Sequence, residues 1–96
     1  MSTLDDTIEK LEATIVDRKR TAPSGSYTAS LFAAGLPRIA QKVGEEGVET
    51  VVAALSQDND RLAAEIADLI YHCLVLLAAR DMRWKDVEQE LARRFK

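Results

Sequence analysis

The chain has 96 residues, 47% of them hydrophobic, with only 4 Gly and 2 Pro, which fits one folded domain over residues 1–96 and excludes a disordered or low-complexity chain. Folding alone would bury only roughly 60–65% of the unfolded surface, so a homodimer or higher homo-oligomer is expected. A formal charge of −3 argues against a nucleic-acid partner, and the single Cys73 excludes an internal disulfide.

Leu4, Ile8, Leu11 and Ile15 recur at spacings of four, three and four, which predicts an amphipathic helix over about residues 3–20. Residues 21–26 gather turn formers around Pro23 and Gly25 and read as a loop. A short helix follows over 27–34, ended by Gly35, and Pro37 stands in the first turn of a second long helix to about residue 56.

Asp58 or Asn59 can cap a third long helix over about 60–80. Its apolar residues, among them Leu62, Ile66, Leu69, Cys73 and Leu76, surround most of its circumference. Such a helix expects cover on several sides, a second reason to expect a dimer. Residues 81–83 make a turn, and Trp84, Val87 and Leu91 mark a last amphipathic helix to about Arg94. With no strand pattern, the predicted fold is all-α, a bundle of four to five helices completed by homodimerisation. The longest apolar run, residues 73–79, is short of a membrane span, and no leader-like N-terminal pattern is visible, so a cytoplasmic chain without a membrane partner is expected.

Glu46 and Glu49 are three residues apart, as are Glu65 and Asp68, and that helical spacing puts both members of each pair on one face. Lys42 and Glu45 lie on the first stripe; Arg61 and His72 extend the second, on a helix that is otherwise apolar. Antiparallel helices joined near Asn59 would bring the pairs to similar heights. At about 4 Å and an effective dielectric near 20, each carboxylate pair repels by about 4 kcal/mol, so four converging acids would protonate, splay or bind metal. All-oxygen ligation favours Mg²⁺, with Mn²⁺ a substitute. Exposed glutamates at this spacing are commonplace and explain Glu45 or Glu46 alone equally well. They do not explain Glu65 and Asp68, which interrupt an apolar surface. A ferritin-like di-iron site would need two Glu-x-x-His motifs, and the chain has one His.

Gly44-Glu45-Glu46-Gly47-Val48-Glu49, followed by Glu65-Ile66-Ala67-Asp68, resembles the E-E-x-x-E…E-x-x-D signature of the MazG-like all-α nucleotide pyrophosphohydrolases. Ser26-Tyr27-Thr28, the stretch 42–46, Ala67 to His72 and the run 74–77 are similar to the phosphoribosyl-ATP pyrophosphohydrolase family within it, over about residues 3–95. The resemblance implies hydrolysis of phosphoribosyl-ATP to phosphoribosyl-AMP and pyrophosphate in histidine biosynthesis, with Mg²⁺ on Glu46, Glu49, Glu65 and Asp68 and a functional link to phosphoribosyl-AMP cyclohydrolase. Asp81 stands where such relatives often carry Gly, and Arg83 where they often carry a Ser or Thr cap.

Glu45 is the general-base candidate, or else an exposed glutamate that orients a ligand; Lys42 could reach a phosphate oxygen, or simply pair with Glu45 or Glu46. The basic run ending at Arg20, with the hydroxyls of Ser26, Tyr27 and Thr28, could cover substrate phosphates, or be a solvated helix end. His72 could touch substrate, or be a hydrogen-bonded interface histidine. Cys73 is expected to be inert core. Gly44 and Gly47 suggest a close approach of helix or substrate. Two other functions fit the same residues: a house-cleaning nucleoside triphosphate pyrophosphohydrolase acting on dUTP or dCTP, and a non-catalytic helical dimerisation module that binds no metal.

Overall fold

Five helices follow one another in the computed structural model, which describes Leu4 and residues 6–95: α1 (Thr7–Thr21), α2 (Tyr27–Ala34), α3 (Leu36–Ser56), α4 (Asn59–Ala79) and α5 (Trp84–Arg94). No strand occurs among the described residues, as the patterning expects. The expected start at Thr3 lies outside them. Leu4 sits in a turn and is 79% exposed, because the apolar periodicity runs past the hydrogen-bond ladder, whose first bond joins the Lys10 N–H to the Asp6 carbonyl.

Helix α1 ends where Ala22 turns left-handed, at φ 46°, so that its N–H reaches the Arg18 carbonyl at 2.9 Å. A side chain in that region costs about 1–2 kcal/mol. Ala22→Gly should therefore stabilise the fold by about 0.5–1 kcal/mol, visible as a higher urea midpoint at unchanged m-value; an unchanged or lower midpoint would refute the strain.

The Ser26 hydroxyl caps α2 by accepting the Ala29 N–H at 3.1 Å. At the other end Gly35, at φ 96°, donates to the carbonyls of Leu31 and Phe32, and Pro37 follows in the first turn of α3. Asp58 then caps α4 through the Arg61 N–H at 2.9 Å. The two-residue connection makes α3 and α4 antiparallel neighbours, and theirs is the most extensive helix contact. Thr50 sets their register, its hydroxyl lying 2.9 Å from the Glu46 carbonyl and 3.4 Å from that of Glu65.

The core gathers Ile15, Leu31, Ile39, Leu74, Val75 and Ala78, with Phe32, Tyr71 and Trp84 packed around it. Taken over an 18-residue window, α4 has a mean hydropathy of 1.8 and is long and apolar enough to cross a membrane, which its short uninterrupted runs conceal. In the bundle it is the helix that α1, α2 and α3 pack against, and it carries Glu65 and His72 in buried positions.

Arg83 brings no hydroxyl cap to α5, and the deficit is met from α1. The buried Glu12 carboxylate accepts the Trp84 N–H at 2.7 Å and pairs with the Arg83 guanidinium at 3.1 Å. Asp81 adopts φ 58°, the backbone state that favours the Gly expected there.

Candidate metal and catalytic site

Three of the four expected ligands come together. Glu46 and Glu49 on α3 and Glu65 on α4 each place a carboxylate oxygen within 4.8 Å of the other two. Glu46 and Glu65 are both 7% exposed, while Glu49 opens to solvent. Asp68 does not join this group of three; it is exposed one turn further along α4, close enough that its charge bears on both Glu46 and Glu65.

The cluster is short of compensating charge. Lys42 lies 3.7 Å from Glu46, and Arg61 lies 3.2 Å from Glu65 across one turn of α4. The buried Oε2 of Glu46 has no hydrogen-bond partner. Burial raises the Glu46 pKa above its ordinary value, and the neighbouring Glu49 raises it further. Glu65 is raised for the same reasons, burial first and then the charge of Glu49, against a smaller pull from Arg61. A buried carboxylate oxygen with no donor, facing two more carboxylates, fits a hard divalent cation held by oxygen.

Glu45 lies outside this group. Lys42 at 3.3 Å and the Gln41 amide at 3.0 Å hold its carboxyl below the usual range, so it is a ready anion beside the cluster. Lys42 thus bridges Glu45 and Glu46 along α3; burial would lower its pKa, but its contacts with Glu45 and the nearby Tyr27 and Glu46 raise it.

The expected phosphate grip divides. Tyr27 is 53% exposed, and its hydroxyl lies 3.3 Å from His72 Nε2. Thr28 bonds the Tyr71 hydroxyl at 2.5 Å, and Ser26 is occupied as the α2 cap, so both hydroxyls serve the fold. His72 is 5% exposed, and both its ring nitrogens are engaged inside the chain.

Arg20 pairs with Asp17 at 2.8 Å and lines a separate cleft of about 400 Å³ with Val16, Lys19, Ala78 and Met82. Ala78 lies about 15 Å along α4 from Asp68, at about 1.5 Å per residue, so one chain does not bring Arg20 to the acids. The run of charges could not reveal this, because it carries no information about which end of α4 it meets.

Cys73 is half-buried, and burial raises its thiol pKa, in keeping with an inert position. A Cβ built at Gly44 or Gly47 would meet nothing within 4 Å, so no helix of the same chain accounts for either glycine. Glu12 and Thr50 escape sequence reasoning altogether: a buried Glu on a charged helix and a Thr in an apolar run have no distinguishing spacing.

Residues 8–95 match the family model described as phosphoribosyl-ATP pyrophosphohydrolase. A phosphoribosyl-ATP pyrophosphatase of Novosphingobium aromaticivorans is 56% identical over 87 residues, which is 91% of this chain and 81% of the relative. Another, of Metallosphaera sedula, is 50% identical over 93 residues, covering 97% of this chain and all of the relative. The histidine biosynthesis bifunctional protein HisIE of Pasteurella multocida is 52% identical over 87 residues, 91% of this chain but 43% of the longer relative.

Proposed function

The chain belongs to the phosphoribosyl-ATP pyrophosphohydrolase family, and from that premise we propose that it cleaves phosphoribosyl-ATP to phosphoribosyl-AMP and pyrophosphate with the acids between α3 and α4. It is thus a hydrolase of histidine biosynthesis, and a cyclohydrolase that consumes phosphoribosyl-AMP is the expected functional partner. The observation that carries the reading is the convergence of Glu46, Glu49 and Glu65 around a buried, unpartnered oxygen. These three, with Asp68 one turn away, are the residues that would hold Mg²⁺. When bound, Mg²⁺ supplies positive charge to the polyphosphate and acidity to water.

The chain's own residues do the rest. Glu45, kept ionised by Lys42 and Gln41 one residue from Glu46, would be the group that takes a proton from the attacking water. Lys42 keeps one donor group between Glu45 and Glu46, from where it would reach a phosphate oxygen bound at the cluster. Release of pyrophosphate from phosphoribosyl-ATP in the presence of Mg²⁺ tests the proposal. No release, or faster turnover of dUTP or dCTP, would overturn it.

We also propose that a second copy covers the outer side of α3. Val48, Val51 and Leu55 line one stripe there at 64%, 57% and 83% exposure, with Val52 beside it and open space over Gly44 at its head. The stripe lies on the opposite side of α3 from buried Ile39, Glu46 and Ala53, so the helix is apolar on two faces. Pairing two α3–α4 hairpins makes a four-helix bundle of the usual kind. Val51→Glu should convert a dimer to a monomer in sedimentation velocity; a wild-type monomer, or an unaffected dimer, would refute this interface.

A further inference from the structure

Tyr27, His72 and Asp68 form one continuous hydrogen-bonded chain from the start of α2 to the middle of α4. His72 Nδ1 lies 2.7 Å from the Asp68 backbone carbonyl, an atom that can only accept, so Nδ1 carries the proton. In the neutral ring Nε2 is then the acceptor, and the Tyr27 hydroxyl donates to it over 3.3 Å. The imidazole is fixed on a third side by the Tyr71 ring, edge-on at 4.8 Å between centroids. Tyr71 in turn bonds Thr28, so two successive residues of α2 grip two successive residues of α4.

This grip has a direction. Asp68 is the one expected ligand that stands apart from the other three acids, and its carbonyl is the atom the imidazole holds. Tyr27 is half-exposed and close enough to Lys42 to act on its charge. The half-exposed Tyr27 is therefore linked, through one buried ring, to the turn of helix that presents Asp68.

We propose that Tyr27 and His72 are positioning residues: the Tyr27 hydroxyl orients the His72 ring, and the ring sets the Asp68 turn against the cluster. The proposal rests on the reading of the acids as the divalent-cation site. It assigns neither residue a bond to the reacting phosphate. Residues that orient metal ligands in this way contribute about 10–100-fold in metal affinity or activity.

The test is Mn²⁺ binding by calorimetry on the wild-type protein, Tyr27→Phe, His72→Gln and the double variant. His72→Gln keeps an acceptor for Tyr27 while removing the donor to the Asp68 carbonyl. Tyr27→Phe keeps the ring and removes only the hydroxyl. Expected are Mn²⁺ affinities weakened about 10-fold in each single variant, with the double variant no weaker than His72→Gln alone. In the free protein, nitrogen NMR should show the Nδ1–H form of His72, with its signal moved by Tyr27→Phe. Wild-type binding with unchanged affinities in the variants, or with additive losses, overturns the relay and leaves the metal site standing. No Mn²⁺ binding by the wild type overturns the metal site and the relay with it.

Discussion

Replacing Glu46 by Gln is expected to lower turnover about 1000-fold while making the metal-free protein more stable. The two effects come from the same carboxylate. It is 7% exposed, its Oε2 has no donor, and Glu49 and Glu65 bring further oxygens within 4.8 Å. Without a cation this is a buried charge beside like charges, with Lys42 at 3.7 Å to offset it in part. Gln keeps the shape, removes the charge and gives the neighbouring carboxylates a donor, which should stabilise by about 1 kcal/mol. With the cation the balance reverses, because the lost ligand charge is worth several kcal/mol to the transition state, at about 1.36 kcal/mol per tenfold in rate. Pyrophosphate release and thermal melting in chelator measure the two sides. A fully active variant, or one that melts lower than wild type without metal, would count against the site.

The helices were legible because their ends are written in local chemistry. Ser26, Gly35, Pro37 and Asp58 each act on backbone groups within a few residues, and the observed ends of α2, α3 and α4 fall within a residue of those expected. The acidic pairs were legible for the same reason, since spacing of three on a helix fixes a shared face. What escaped depends on contacts between distant parts of the chain. Glu12 meets Trp84 and Arg83 across three intervening helices, and no periodicity on α1 marks it as the cap of α5. Arg20 shares a basic run with Arg18 and Lys19, yet Lys19 turns to the Ala78 carbonyl and Asp81, which anchors that end of α1 at the far end of α4 from the acids. Asp68 shows the limit of a spacing argument: the spacing sets it on the side of Glu65, but whether its carboxylate closes on the others depends on the position of the whole turn.

The metal-free protein is expected to lose stability as pH rises above the ordinary glutamate range, and Mg²⁺ is expected to restore it. Glu46 and Glu65 have their pKa values raised in the fold, by burial first and then by Glu49. The folded state therefore holds protons that the unfolded state has already released, so stability falls with pH until both groups have ionised in the fold. Their contribution is fully present below the unfolded glutamate pKa and lost as pH rises through the raised values. Glu45 and Glu90 are lowered and act in the opposite sense, losing their contribution as pH falls, but both are exposed and screened. Once pH exceeds the ordinary glutamate value of about 4.3, melting in chelator should thus move to lower temperature over the interval in which both groups ionise in the fold. Mg²⁺ binds the ionised cluster and competes with those protons, so its stabilisation should grow over the same interval, approaching about 2.7 kcal/mol at a concentration about 100 times its Kd. Glu46→Gln should flatten both trends, which separates the cluster from every other titrating group. A melting temperature in chelator that holds constant or rises across that interval, with no added shift from Mg²⁺, would show that the acids between α3 and α4 do not form a cation site.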